Sequence, residues 1–301
     1  MGSLARFAGR AVLAGLGAVA AREALRAVRS TPRAGELERI NYRGHTVSLA
    51  GGPAFAAAAT ATAVLGAGSP RRAAAALLAG GAAGAVGFYD DVVGARPDQK
   101  TAKGFRGHLG ALREGRMTSG LVKIAGVGAA SLAAAALVEA ESPRPRGRLA
   151  RLTAIVSGTG VIAGTANLVN LLDLRPGRAL KAGAVIATPL ALGSSEAAGL
   201  LAGPAGAGAA LAAADLGEEI MLGDAGANAM GALVGLAALT RTGIAGRLAL
   251  LGAIGALTAA SEKVSFSAVI ANTPGLREFD AWGRRTDHVP DGPTDRSTLP
   301  G

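Results

Sequence analysis

Cysteine is missing altogether from this chain, so no disulfide and no thiolate-held metal enters its chemistry. Histidine is nearly missing. His45, His108 and His288 stand far apart and form no metal-like spacing. Aromatic residues make up only 3% of the sequence. The formal net charge of +10 would point to nucleic acid, but no aromatics are interleaved among the basic residues, so there is no platform on which bases could stack. Walker A and His-Glu-x-x-His patterns are also absent. Charge itself is scarce over long stretches, and this last absence organises the chain.

Half of the residues are hydrophobic, mostly Ala, Leu, Val and Gly, and the mean hydropathy is +0.36. These residues come in runs approaching the roughly 20 that cross a bilayer. Nine such runs are read, at 4–21, 49–68, 73–89, 118–140, 152–172, 179–193, 197–214, 225–240 and 244–260. The first carries Arg6 and Arg10 in its opening part, weakly like a signal peptide, but is read as an uncleaved span. The expectation is an all-α polytopic helix bundle of about nine transmembrane helices. It forms one membrane-embedded domain over 1–283, followed by a polar, disordered cytoplasmic tail over 284–301.

Nine spans put the termini on opposite sides. With the N-terminus outside, the inward segments carry twice as many Lys and Arg residues as the outward ones, as the positive-inside rule requires. Of the 21 acidic residues, all but Glu139, Glu141 and Glu196 fall on the inner side. Net charge is thus explained by topology, and polar chemistry is gathered on one membrane face.

Three stretches stand out on that face. Asn167, Asn170 and Asp173 are spaced i, i+3, i+6 at the end of the fifth run, so a helix presents them on one side. Carboxamides there can act as inter-helix glue, or they can line a site. Asp90-Asp91 closes the third run, and Asp224 opens the eighth. Carboxylates from three separate segments repel one another unless a cation joins them, and Mg²⁺ suits one or two carboxylates with phosphate oxygens. Basic loops nearby complete a place for a phosphate or diphosphate at the lipid–water boundary, where transfer needs mainly positioning and charge neutralisation.

In order, Gly87-Phe-Tyr-Asp90-Asp91, then Asn167-Leu-Val-Asn170-Leu-Leu-Asp173, then Met221-Leu-Gly-Asp224-Ala-Gly226 resemble the motifs of the polyprenyl-phosphate N-acetylhexosamine-1-phosphate transferase family. That family includes the enzyme of lipid I synthesis for peptidoglycan. The likeness runs from about Asn41 to Gly283, with Gly51-Gly52 at the end of a family loop and Lys123 where a loop-proximal Lys is common. The resemblance implies a Mg²⁺-dependent glycosyltransferase of cell wall biogenesis. It would move a sugar-1-phosphate from a UDP-sugar to undecaprenyl or decaprenyl phosphate and release UMP, on the cytoplasmic face of a bacterial plasma membrane. Asp224 would be the main metal ligand, with Asp91 its partner. Asp90 would act as base or orienter. Lys123 would neutralise diphosphate charge, and Asn167, Asn170 and Asp173 would line the nucleotide-sugar side. A homodimer is compatible with this reading.

The chain also departs from the family pattern. After Asp173 it reads Leu-Arg-Pro-Gly in place of Asp-Gly pairs, Met221 stands where an aromatic is frequent, and the late histidine run is reduced to His288. Lipid I itself is therefore disfavoured as the product. Arg277, Arg284 and Arg285 are expected to replace the histidines, and alanine at all three that left UDP-sugar KM and kcat unchanged would refute this. Glu218-Glu219 is read as a solvated turn. Asp173 with Arg175 allows a surface ion pair, and Lys123 allows simple snorkelling to the interface. The alternative function is a non-catalytic relative that binds polyprenyl phosphate as a scaffold or transport component.

Overall fold

A computed structural model describes residues 2–94, 96, 118–142, 147–193 and 195–285. Helices dominate it: α1 (Ser3–Arg29), α2 (Gly51–Gly66), α3 (Pro70–Val93), α4 (Ser119–Glu139), α5 (Arg148–Leu172), α6 (Arg178–Ala191), α7 (Glu196–Leu216), α8 (Gly223–Arg241), α9 (Ile244–Ser261), α10 (Phe266–Asn272) and α11 (Leu276–Ala281). Among the described residues six helices are long and apolar enough to cross a membrane: α1, α3, α4, α5, α7 and α9. The other three expected spans are helical too. However, α2 has 16 residues and α6 has 14, short of a full crossing, and α8 is not among the six. Most of the expected loop at 92–117 and of the tail at 284–301 lies outside the described residues.

The bundle is not wholly α. Where the sequence reads as a basic loop, α1 continues to Arg29 and a small antiparallel hairpin follows, with β1 (Glu38–Ile40) paired to β2 (Thr46–Ser48). Gly44, at φ 83°, makes the left-handed turn between them. Ser48 then exchanges backbone hydrogen bonds with the segment before α8: its N–H donates to Glu219 O at 3.1 Å and its carbonyl accepts from Met221 N at 2.9 Å. The hairpin is thereby fastened to the loop that delivers Asp224.

Helix α8 is the axis of the bundle and is buried along nearly its whole length, against α5, α3, α2 and α7. Small residues permit this. A Cβ on Gly231 would fall 2.4 Å from Thr165 O, and one on Gly87 of α3 would fall 2.3 Å from Asp224 O. Close backbone approach is how apolar helices gain contact where lipid offers no hydrophobic drive. We therefore expect Gly87→Val to lower stability by about 1–3 kcal/mol and to separate Asp90 from Asp224. Thermal melting in detergent reads the first effect and turnover reads the second, with Gly87→Ala intermediate in both.

Consecutive long helices alternate in direction. The C-terminal ends of α1, α3, α5 and α7 therefore gather with the N-terminal ends of α2, α4, α6 and α8 on one face. Cross-links at that face demonstrate the grouping: Arg29 donates to Glu219 O, Arg39 to Asp91 O, and Lys123 to Asp90. The opposite face is held by Arg72 with Glu141 and by Arg247 with Glu139. Within α3, residues Leu77–Ala82 form a π-helical segment around Gly80-Gly81. An inserted residue of this kind changes which side of the helix the following residues face, here the side carrying Asp90 and Asp91.

Candidate active site

Lys123 lies in the first turns of α4, and its ammonium bridges two carboxylates from different helices. It stands 3.3 Å from Asp90 Oδ2 and makes a closer ion pair with Asp224 Oδ2. All three side chains are about four-fifths buried. A simple snorkelling lysine would extend into water instead of ending between two acids.

Asp91 does different work. Its Oδ1 accepts from Asp224 N and its Oδ2 from Ala225 N, both at 2.9 Å, so it caps the N-terminus of α8 across the bundle. Gly223 makes this possible at φ 56°, because a side chain there would strain the backbone and meet Leu49 and Asp91. The amides and the helix dipole favour a carboxylate as the cap. Asp91 and Asp224, the expected Mg²⁺ pair, thus have their oxygens occupied by amides and an ammonium. As arranged they do not offer an open cation site. Among the described residues no group of three or more His, Cys, Asp or Glu could hold a metal ion.

Beside this cluster is a cavity of about 520 Å³. Asp91, Asp224, Asn170 and Asp173 line it, together with Arg39, Tyr42, Arg175 and the unanticipated Asp215 and Glu218. Asn170 and Asp173 thus line the same cavity as Asp91 and Asp224. Asn167 is exposed and is not among the lining residues. Burial pushes the Asp173 carboxyl well above the usual carboxylate range, and the charges of Asp215, Asp91 and Asp224 add to the effect. Asp173 forms no surface pair with Arg175, which instead stacks its guanidinium 3.6 Å from the centre of the Tyr42 ring. This puts an aromatic wall on the cavity even though Met221 is not aromatic.

Glu218 also corrects the sequence reading. It is no solvated turn residue: its side chain is 1% exposed and its φ is 59°. One oxygen accepts from Arg43 at 2.8 Å. The other meets Asn41 at 2.6 Å and His45 Nδ1 at 2.8 Å. Glu219 does remain exposed. Burial alone would raise the Glu218 carboxyl, but the hydrogen bonds from Asn41, Arg43 and His45 outweigh it and hold it below its ordinary value of 4.5. A depressed folded pKa gives stability that is fully present above about pH 4.5 and is lost as pH falls through the folded value. Protection of the Val47 and Met221 amides from hydrogen exchange, taken relative to the intrinsic rate at each pH, should fall below that pH, and Glu218→Gln should flatten the dependence.

The late arginines are placed unequally. Arg277 is 60% exposed and pairs with the adjacent Glu278, away from the cavity lining. Arg284 donates to Pro176 O at 2.9 Å and pairs with Asp280, so it supports the loop after Asp173 without lining the cavity. Asp280 itself receives a two-pronged bond from buried Arg178, at 2.8 and 2.9 Å. The segment 266–285 is thereby anchored to the site face.

No protein-family model matches this chain, and no curated protein matches it.

Proposed function

We propose that this protein transfers a sugar-1-phosphate, from a UDP-activated N-acetylhexosamine, to a polyprenyl phosphate in a bacterial plasma membrane. The observation that carries the reading is that Lys123, Asp90 and Asp224, from three separate helices, meet at one end of an apolar bundle beside a cavity lined by Asn170 and Asp173. The order of the acidic motifs agrees with it.

In this reaction an oxygen of the lipid phosphate attacks the sugar-bearing phosphorus. The bond from that phosphorus to the bridging diphosphate oxygen breaks, and UMP leaves with the electron pair. The lipid phosphate is already largely ionised near neutral pH, with a second pKa of about 6, so Asp90 serves to orient the attack. Lys123, released from one carboxylate by the incoming anion, neutralises the diphosphate. Asp91 holds the α8 N-terminus, and with it Asp224, in register. Tyr42 and Arg175 offer flat faces to the base, and Asn170 offers amide contacts on the nucleotide side. Mg²⁺ is the cofactor of this reading and supplies further neutralisation of phosphate charge.

Purified protein incubated with polyprenyl phosphate, Mg²⁺ and labelled UDP-N-acetylhexosamines should convert label to a solvent-extractable lipid. Retention of polyprenyl phosphate without turnover, in folded protein, would favour a lipid-phosphate scaffold. The capped Asp91 and the paired Lys123 are the features that keep that second reading in view.

A further inference from the structure

We propose that Asp173 and Asp215 together hold a divalent, oxygen-preferring cation in the cavity, at a place distinct from the Asp91–Asp224 pair. The two side chains come from different helix ends, Asp173 after α5 and Asp215 in the last turn of α7, and both line the same cavity. They are almost fully buried, with 8% and 2% exposure. One oxygen of each, Asp173 Oδ2 and Asp215 Oδ2, is buried without a hydrogen-bond partner. Of the neighbouring charges, that of Asp215 acts most strongly on Asp173.

Among the described residues neither of these two makes a direct ion pair, although the charges of Arg284 and Lys181 act on Asp215 from a distance. Glu218 is answered by Arg43 and His45, Asp224 by Lys123, and Asp91 by two amides at a helix N-terminus. Neighbouring cations are committed elsewhere. Arg175 lies over Tyr42, Lys181 donates to the carbonyls of Phe279, Asp280 and Trp282, and Arg284 serves Pro176 and Asp280. Two buried carboxylates, each with one unpartnered oxygen and no direct ion pair, are costly. A neutral hydrogen-bond donor would satisfy the oxygens and leave the charge, whereas a cation satisfies both. The two donors are carboxylate oxygens, and no histidine or cysteine lines the cavity, which selects the Mg²⁺, Mn²⁺ and Ca²⁺ class. Two carboxylates with retained waters suffice for Mg²⁺, and about 520 Å³ leaves room for those waters.

The test uses Mn²⁺ as a paramagnetic stand-in. Full-length protein in detergent, without substrates, is titrated with Mn²⁺ while the free ion is followed by electron paramagnetic resonance. The wild type should bind Mn²⁺ in competition with Mg²⁺. Asp173→Asn and Asp215→Asn should each weaken binding by about tenfold or more, while Asp224→Asn keeps it. Melting curves without metal confirm folding, and Asp173→Asn, at a helix end, carries the test if Asp215→Asn does not fold. Wild-type affinity in both variants, or no Mn²⁺ bound by wild type, overturns the site and means that protons neutralise the pair. Loss of binding in Asp224→Asn alone overturns it in favour of the other pair. The transferase reading does not depend on any of these outcomes, because it is decided by product formation.

Discussion

Lys123→Ala is expected to slow UMP release by about 10²–10³-fold, the cost of removing one preorganised electrostatic donor from a transition state. The ammonium is held between Asp90 and Asp224 before any substrate arrives, so it is oriented at no cost during reaction. Its removal leaves two largely buried carboxylates facing each other, which also weakens binding of an anionic substrate. Lys123→Arg should rescue little, because a planar guanidinium cannot occupy a point site between two carboxylates from separate helices. Initial rates over a range of UDP-sugar concentrations separate the effects: kcat falls with only a modest rise in KM if the ammonium acts in the transition state. Near-wild-type rates in Lys123→Ala would remove it from the chemistry.

Arg247→Met is expected to destabilise the protein by about 3–5 kcal/mol, with kcat preserved in the folded fraction. Arg247 and Glu139 are 5% and 2% exposed at the end of the bundle away from the cavity, 3.5 Å apart. Arg247 also donates to Ala154 O at 3.0 Å and to Leu239 O at 3.2 Å, tying α4, α5 and α8 together at their far ends. Removing the guanidinium takes a charged partner from a buried carboxylate and the donor from Ala154 O and Leu239 O. The double variant Arg247→Met with Glu139→Gln should recover much of the loss, since replacing both members of a buried pair is far milder than breaking it. Thermal unfolding in detergent measures both. A single variant as stable as wild type would mean that water reaches Glu139.

Asp90, Asp91 and Asp224 are legible because each interrupts or borders an apolar run, where a charge is expensive. Asn170 and Asp173 are legible by helical spacing, and the same spacing offered Asn167, which the helix leaves exposed. Asp215 carries the same signal as Asp90, an acid closing an apolar run, and could have been read in the same way. Glu218 could not. Its burial depends on Asn41, Arg43 and His45 arriving from a hairpin about 175 residues earlier, and hairpins this short leave little periodicity. The division of labour between Asp90 and Asp91 was equally hidden. A π-helical segment sets which face each residue takes, and nothing in Leu77–Ala82 announces it except paired glycines. Likewise, hydropathy marks nine apolar runs without revealing that three of them fold as helices short of, or outside, the six membrane-length ones.

Sugar-1-phosphate transfer from a UDP-sugar must release UMP. Purified protein, polyprenyl phosphate and Mg²⁺ would be mixed with each of a panel of UDP-sugars, alongside Asp224→Asn and an EDTA control. UMP release is expected with one donor, together with stoichiometric lipid-linked sugar, and neither product in the variant or under chelation. Folded protein that binds polyprenyl phosphate yet releases no UMP from any donor would contradict sugar-1-phosphate transfer.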